Sequence, residues 1–244
     1  MSHAAKALVP RPSLHLCEET GQSTAGVNLL AGLEDAEVDM LMAVASPLSF
    51  GAGEALFRQG DHHDGIFIIV SGQVRIFYSG PSGREITLAY WSPGNFCGGP
   101  EIFGGSPHMW SGQAVRSTQV LHVPGVDLRR LVGRLPRLAI SLLDAMVHKG
   151  KCFSSLIHML GTRSAAERLA QLLVLMADLD GHRKAEGIVI GRTLTQEDLA
   201  KMVGSTRQWV SSMLDRLREN GLVEVTPQRI VVRDEARLRM LASQ

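Results

Sequence analysis

Hydrophobic positions change their period along this chain, and the changes mark out its elements. Leu33, Val38, Leu41 and Met42 form one apolar stripe, which predicts a short helix over 34–44. From Ser46 to Gly112 short β-branched and aromatic runs replace that spacing. Ile66–Val70, Val74–Tyr78 and Ile86–Tyr90 read as strands, with Val120–Val123 as another beyond them. Thirteen of the 25 glycines fall between Gly51 and Gly112 and punctuate these runs. Glycine supplies the positive φ that tight turns demand, so many short strands imply a small antiparallel barrel or sandwich. Pro81-Ser82-Gly83 is placed to close a hairpin within it.

After Pro136 glycine thins out and helical spacing takes over. Leu138, Leu142, Ala145, Lys149, Cys152, Leu156 and Met159 recur at alternating steps of four and three. That is the a/d spacing of a coiled-coil seam, and it predicts a parallel homodimer built on a helix from about Pro136 to Leu160. An ordinary helix packed on its own barrel carries the same spacing, and Lys149 and Gly150 weaken a seam. The opposing fact is length, since about 25 residues is long for a helix serving one small domain. A further helix, about Arg163–Leu179, carries Ala165, Leu169, Leu172, Leu173 and Met176 and is closed by Asp180-Gly181-His182-Arg183-Lys184.

The remaining segment reads as a compact helical unit with a hairpin near its end. Thr195 stands as an N-cap, with Asp198 where a capping-box acid belongs, and Leu199, Met202 and Val203 supply the buried face. Gly204 sits where that helix must stop, and Ser205-Thr206 offers an N-cap for the next. Val210, Met213, Leu214 and Leu217 share one face of this second helix; Arg207, Gln208, Ser211, Ser212 and Asp215 share the other. Helix, short turn, helix is the geometry that lays a recognition helix in the major groove of DNA. Arginine and glutamine at its first turn are the side-chain types that bond guanine or adenine edges bidentately, and neighbouring serines suit phosphate or base contact. Leu222–Val225 and Ile230–Val232 alternate around Thr226-Pro227-Gln228-Arg229, a hairpin placed to act as a wing on the DNA backbone. An αα-hairpin in an unrelated helical domain remains the plain alternative for this segment taken alone.

Composition narrows the picture. A chain of 244 residues is long enough for two modest domains, and 45% hydrophobic content suits a sizeable core. Residues 1–27, with Pro10, Pro12, Gly21 and Gly26, lack periodicity and are expected to form a mobile arm. That arm lacks the apolar run of a signal peptide, and no stretch reaches a membrane span, so the expected location is cytoplasmic. A net charge of +1 does not advertise a nucleic-acid binder, and 192–219 hold five Lys/Arg against four Asp/Glu. Three scattered cysteines, Cys17, Cys97 and Cys152, exclude a disulfide scaffold and any four-cysteine site within one chain. His62-His63 in a β-barrel invites a metal-dependent cupin enzyme, but adjacent strand residues point to opposite faces and cannot chelate one ion. The pair is expected on an exposed turn after Gly60. With no nucleophile triad and no phosphate-cradling loop, neither catalysis nor a metal site is expected.

Gly60-Asp61, Gly72-Gln73-Val74 and Pro93-Gly94-Asn95-Phe96 together resemble the β-roll signature of the cyclic-AMP receptor protein/FNR family of bacterial transcription regulators. Gly204-Ser205-Thr206-Arg207-Gln208-Trp209-Val210 is similar to that family's recognition-helix pattern, and the modules follow in the family's order over about residues 30–240. The resemblance implies an α+β chain. Its parts are an N-terminal arm (1–27), a jelly-roll-like β-roll sensor domain (28–133), a dimerisation helix (134–161) and a winged helix-turn-helix domain (162–244). It also implies a homodimer that reads an inverted repeat in double-stranded DNA, contacts RNA polymerase, and reorients its DNA-binding domains when an effector occupies the β-roll. The expected DNA-binding residues are Thr195, Ser205, Thr206, Arg207, Gln208, Ser211, Ser212 and Arg229. Gln208 stands where the cyclic-AMP branch often has Glu, and Ser212 where a second Arg is common.

The effector pocket implied by the resemblance comprises Gly98, Gly99, Glu101, Met109, Trp110, Phe153 and Ser154. Cyclic nucleotide binding needs a carboxylate for the ribose and an arginine for the cyclic phosphate. Where the cyclic-AMP branch has Gly-Glu and Arg-Ser, this chain has Gly98-Gly99 and Met109-Trp110, so both functional side chains are missing. Glu101 and Arg116 lie nearby as poor substitutes. An effector other than cyclic AMP is therefore expected, of aromatic or hydrophobic character, and no cofactor is assigned. The alternatives are a β-roll serving as a ligand-free scaffold, or haem: Phe96-Cys97 resembles a segment of the family's carbon-monoxide sensor, with His108 or His122 as the partner ligand.

Overall fold

A computed structural model describes residues 28–191, 195–226 and 229–243. The arm at 1–27, with Cys17, and the hairpin tip at Pro227-Gln228 lie outside the described residues. What is described falls into two compact units, 28–153 and 154–243.

The first unit opens with helix α1 (Asp35–Met42), where Glu34 and Glu37 form a capping box and Val38 and Leu41 face inward. Eight strands follow: β1 (Ser46–Phe50), β2 (Ala55–Phe57), β3 (Gly65–Ser71), β4 (Val74–Ser79), β5 (Glu85–Trp91), β6 (Phe96–Cys97), β7 (Ser111–Ala114) and β8 (Thr118–Pro124). They form two antiparallel sheets ordered β1-β8-β3-β6 and β2-β7-β4-β5, the expected β-roll. The four expected strands are β3, β4, β5 and β8, and the hairpin at Pro81-Ser82-Gly83 closes on Gly83 at φ 77°. Strand β3 reads as a continuous apolar run because it is buried on both faces. Ile66 and Ile68 face a cluster with Leu128, Leu138 and Leu142, whereas Phe67 and Ile69 face one with Val74, Ile76 and Trp91.

Helix α2 (Gly125–Val132) then leads to α3 (Pro136–Thr162), a 27-residue helix begun by proline, whose fixed φ suits a first turn. Here the sequence reading is corrected. Leu138, Leu142, Ala145, Lys149, Cys152, Leu156 and Met159 are all buried within the chain itself, so they are not available as a seam. The plain alternative holds for that stripe: Leu138, Leu142 and Ala145 join the cluster of Ile66 and Ile68, and Cys152 joins that of Trp91. A second stripe, one to two positions further along, faces solvent instead. Its large members are Ile140 (58% exposed), Leu143 (65%), Val147 (59%) and Ile157 (71%), with Gly150 and Ser154 continuing the same steps.

The second unit holds α4 (Ala165–Asp180), β9 (Gly181–Lys184), β10 (Gly187–Ile190), α5 (Gln196–Val203), α6 (Arg207–Glu219), β11 (Val223–Val225), β12 (Ile230–Val232) and α7 (Glu235–Ala242). Ser164 and Glu167 cap α4 reciprocally. The wing strands β11 and β12 pair as expected, but the sheet continues through β10 to β9. Those two strands and α7 have no counterpart in the sequence reading. Strand β9 is a polar Gly-His-Arg-Lys run, mostly exposed, with no alternation to betray it.

Candidate nucleic-acid interface and β-roll pocket

Helix α5 starts where its caps dictate. The Asp198 N–H donates to Thr195 Oγ1 (3.1 Å), and the Thr195 N–H donates back to Asp198 Oδ2 (2.9 Å). The helix stops at Gly204, which takes φ 65° and ψ 43°, a left-handed conformation that a side chain would strain. The half-buried Ser205 closes the turn, its N–H donating to the Ala200 carbonyl (2.9 Å). Thr206 then caps α6, accepting from the Trp209 N–H (3.2 Å). Thr195 and Thr206 are thus fixed by structural hydrogen bonds, a role that the DNA reading alone omits.

Val210, Leu214 and Leu217 bury one face of α6. Arg207, Gln208 and Ser212 are exposed on the other and Ser211 is half-buried there, so the four sit together at the start of the helix. Asp215, one turn on, pairs with Arg218 (2.9 Å), which offsets the acid's repulsion of phosphate. Arg229, beside the wing tip, pairs with Glu186 (3.3 Å) at the start of β10. The Glu186 carboxyl is held below its ordinary range chiefly by a hydrogen bond from its own backbone N–H, with Arg229 adding to it. Sequence reasoning missed Arg168, whose guanidinium donates to the Val203 carbonyl at the end of α5 (2.7 Å) and to the Arg163 carbonyl (2.7 Å). This arginine ties α4 to the helix-turn-helix.

In the β-roll, residues 98–110 form the loop between β6 and β7. Trp110 folds back so that its indole N–H donates to the Gly98 carbonyl (2.7 Å), and its ring packs on Phe153 of α3 (5.6 Å between centroids). Gly98, Trp110 and Phe153 are therefore brought together. Gly99 is close by, its N–H donating to His63 Nε2 (2.5 Å). Glu101, Met109 and Ser154 are exposed. Arg116 donates to the Gly72 carbonyl (3.1 Å), which commits its guanidinium to the β3–β4 turn.

His63 is the second correction. Only His62 is exposed as expected; His63 is 1% exposed and packs on the buried ring of His108 (4.4 Å). Among the described residues, the Nδ1 atoms of both have no hydrogen-bond partner. Burial disfavours the charged form of both imidazoles: it lowers the pKa of His63, and it lowers that of His108 to about 4. Sequence spacing gave no signal for this, because His63 is enclosed by Gly98 and Gly99 of a loop distant in the chain.

Cys97 does not fit a haem ligand. It is enclosed in the core, and burial pushes its thiol up to about 12, so no thiolate is offered. His108 lies flat on Phe57 (4.2 Å), and His122 is engaged by Asp64 (3.1 Å). Lys149, by contrast, is a buried amine. Its ammonium donates to the Phe96 carbonyl (2.8 Å) and sits over the Trp91 ring (3.5 Å), while burial lowers its pKa to about 7.

A β-roll followed by a long helix and a winged helix-turn-helix defines a class: DNA-binding transcription regulators with a sensor-type domain. Residues 47–134 match the family model of the cyclic nucleotide-binding domain, and 167–241 match that of the Crp-like helix-turn-helix domain. The chain belongs to the cyclic-AMP receptor protein/FNR family of transcription regulators. It is 28% identical over 217 residues to the cyclic AMP receptor protein of Thermus thermophilus, covering 89% of this chain and 97% of that one. It is 24% identical over 214 residues to a CRP-like cAMP-activated global transcriptional regulator of Mycobacterium tuberculosis, covering 88% and 96%. Among solved structures, a CooA variant from Carboxydothermus hydrogenoformans shares the fold (TM-score 0.74, 21% identity, 93% of this chain and 97% of that one). Among the described residues no helix is long and apolar enough to cross a membrane.

Proposed function

We propose that this chain is a homodimeric, sequence-specific DNA-binding transcription regulator whose β-roll does not take cyclic AMP. One observation carries the DNA reading: the left-handed turn at Gly204 delivers a capped helix whose first turn exposes Arg207 and Gln208 together. The two-fold partner is a second copy of the chain, joined along Ile140, Leu143, Val147, Gly150, Ser154 and Ile157. Large apolar side chains on one exposed helical stripe at alternating steps of three and four support that seam. A two-fold dimer places its recognition helices about 34–36 Å apart, so its operator is an inverted repeat. Against cyclic AMP stand Gly99 and Met109 where carboxylate and guanidinium are needed, and an Arg116 already committed elsewhere.

Selection of bound fragments from random double-stranded DNA tests this reading. An enriched inverted repeat with half-site centres one helical turn apart is the expected result. Enrichment of a single half-site, or of nothing, overturns it. Isothermal titration with cyclic AMP is expected to give no heat of binding.

A further inference from the structure

We propose that the Gly98 carbonyl and the Phe153 ring form a site for a planar aromatic ring bearing one N–H donor, and that Trp110 is its built-in ligand. The inference deepens the sensor reading of the β-roll and rests on it. The acceptor is rigidly aimed. Gly98 takes φ 146°, and a Cβ there would lie 3.0 Å from the Gly65 carbonyl oxygen. Its neighbour Gly99 is held by His63, and a Cβ on Gly99 would come within 2.7 Å of that imidazole. Neither position accepts a side chain, so the Gly98 carbonyl stays where the indole N–H finds it. Burial keeps His63 neutral, which lets its Nε2 accept from Gly99.

The other wall belongs to a different element. Phe153 lies on α3, four residues after Lys149, which bonds the Phe96 carbonyl at the head of the same loop. Trp110 thus joins the tip of the β-roll to the long helix, the join that an effector-gated sensor leaves to its effector. The indole fills the place with its one polar atom satisfied, and Gly104 and Gly105, both at positive φ, let the loop double back to deliver it. The tethered ring leaves the wild-type protein insensitive to free ligands of its own class.

The test uses the full chain and two variants, with indole and benzofuran as probes; benzofuran has the same shape but no N–H. Trp110→Gly is expected to lower Tm by about 5–10 °C. Millimolar indole should restore at least about half of that loss, and benzofuran clearly less. Affinity for the selected operator should fall in Trp110→Gly and recover about tenfold with indole. Trp110→Phe, which keeps a ring and removes the donor, should lie below wild type in both readouts. The proposal is overturned if indole leaves Trp110→Gly unmoved, if benzofuran matches indole, or if wild type itself shifts with indole. Should Trp110→Gly not fold, a Trp110→Phe variant equal to wild type overturns it alone. A wild-type protein that binds no DNA sinks the regulator reading while the Tm rescue still stands or falls separately.

Discussion

An ammonium in a protein core costs several kcal/mol unless something replaces its water, and Lys149 carries that cost at neutral pH. Its pKa falls from 10.5 to about 7 through burial, a displacement worth about 5 kcal/mol. The Trp91 face and the Phe96 carbonyl are what the charged form has in place of water. The unfolded chain takes up this proton from about pH 10.5 downward and the folded chain only from about pH 7. Stability is therefore lost as pH falls through that window and is level below it. Lys149→Met should stabilise the protein at pH 7 by about 2 kcal/mol, and the gain should shrink as pH approaches 10. Urea denaturation of both proteins at the two pH values decides it; a gap independent of pH would mean the amine is not strained. Arg207 is the opposite case, an exposed cation that matters only when DNA arrives. Arg207→Ala should cost about 1–3 kcal/mol on the selected operator, relax choice at one base pair and leave random-sequence binding nearly unchanged. Equal loss on both DNAs, read by fluorescence anisotropy, would reassign Arg207 to phosphate.

At the scale of elements, α3 shows why one spacing rule cannot name an interface. The helix carries two stripes with the same alternation of three and four, and each has its blemish: Lys149 in one, Gly150 and Ser154 in the other. Periodicity establishes that a stripe is apolar on one face; it cannot say whether the partner is the chain's own barrel or a second copy. The buried stripe is settled by tertiary packing, where Leu138 and Leu142 meet the Ile66 and Ile68 face of β3. The stripes therefore separate cleanly under mutation. Leu143→Asp should leave the fold intact and yield a monomer, because Leu143 is exposed in the single chain. Leu142→Asp buries an unpaired carboxylate and should unfold the protein. Sedimentation velocity with circular dichroism separates the outcomes, and a Leu143→Asp protein that remains dimeric would refute the proposed seam. Where local chemistry is decisive, by contrast, sequence is a reliable guide. Thr195, Asp198, Gly204 and Thr206 act as caps and turn as their types require, and glycine-bounded runs become β3, β4 and β5. Strand β9 escaped because a short polar strand has no hydrophobic period, β10 because a four-residue apolar run is too short to show one, and His63 because burial depends on a loop packed from 36 residues away.

On the scale of the whole molecule, a net charge of +1 sets the electrostatics of DNA binding. So small a net charge gives little overall attraction to the duplex, so in the proposed two-fold dimer affinity should rest on a few local contacts repeated by symmetry. Each second unit offers helix α6, its capped N-terminus and the wing arginine Arg229, which must first loosen from Glu186. Two or three phosphates per subunit are a reasonable load for these groups. A dimer engaging about four to six phosphates loses counterions in proportion, which sets the slope of log K against log salt at about −4 to −5. The same count ties salt dependence to assembly. In the Leu143→Asp protein one subunit meets one half-site, so the slope should fall to about half, near −2, while the base preference conferred by Arg207 persists. Titrating both proteins with the selected operator between low and moderate salt gives the two slopes. Equal slopes would show that a second subunit adds no phosphate contacts and would undo the two-fold model. A wild-type slope near −10 would mean that a basic surface beyond α6 and the wing carries the binding.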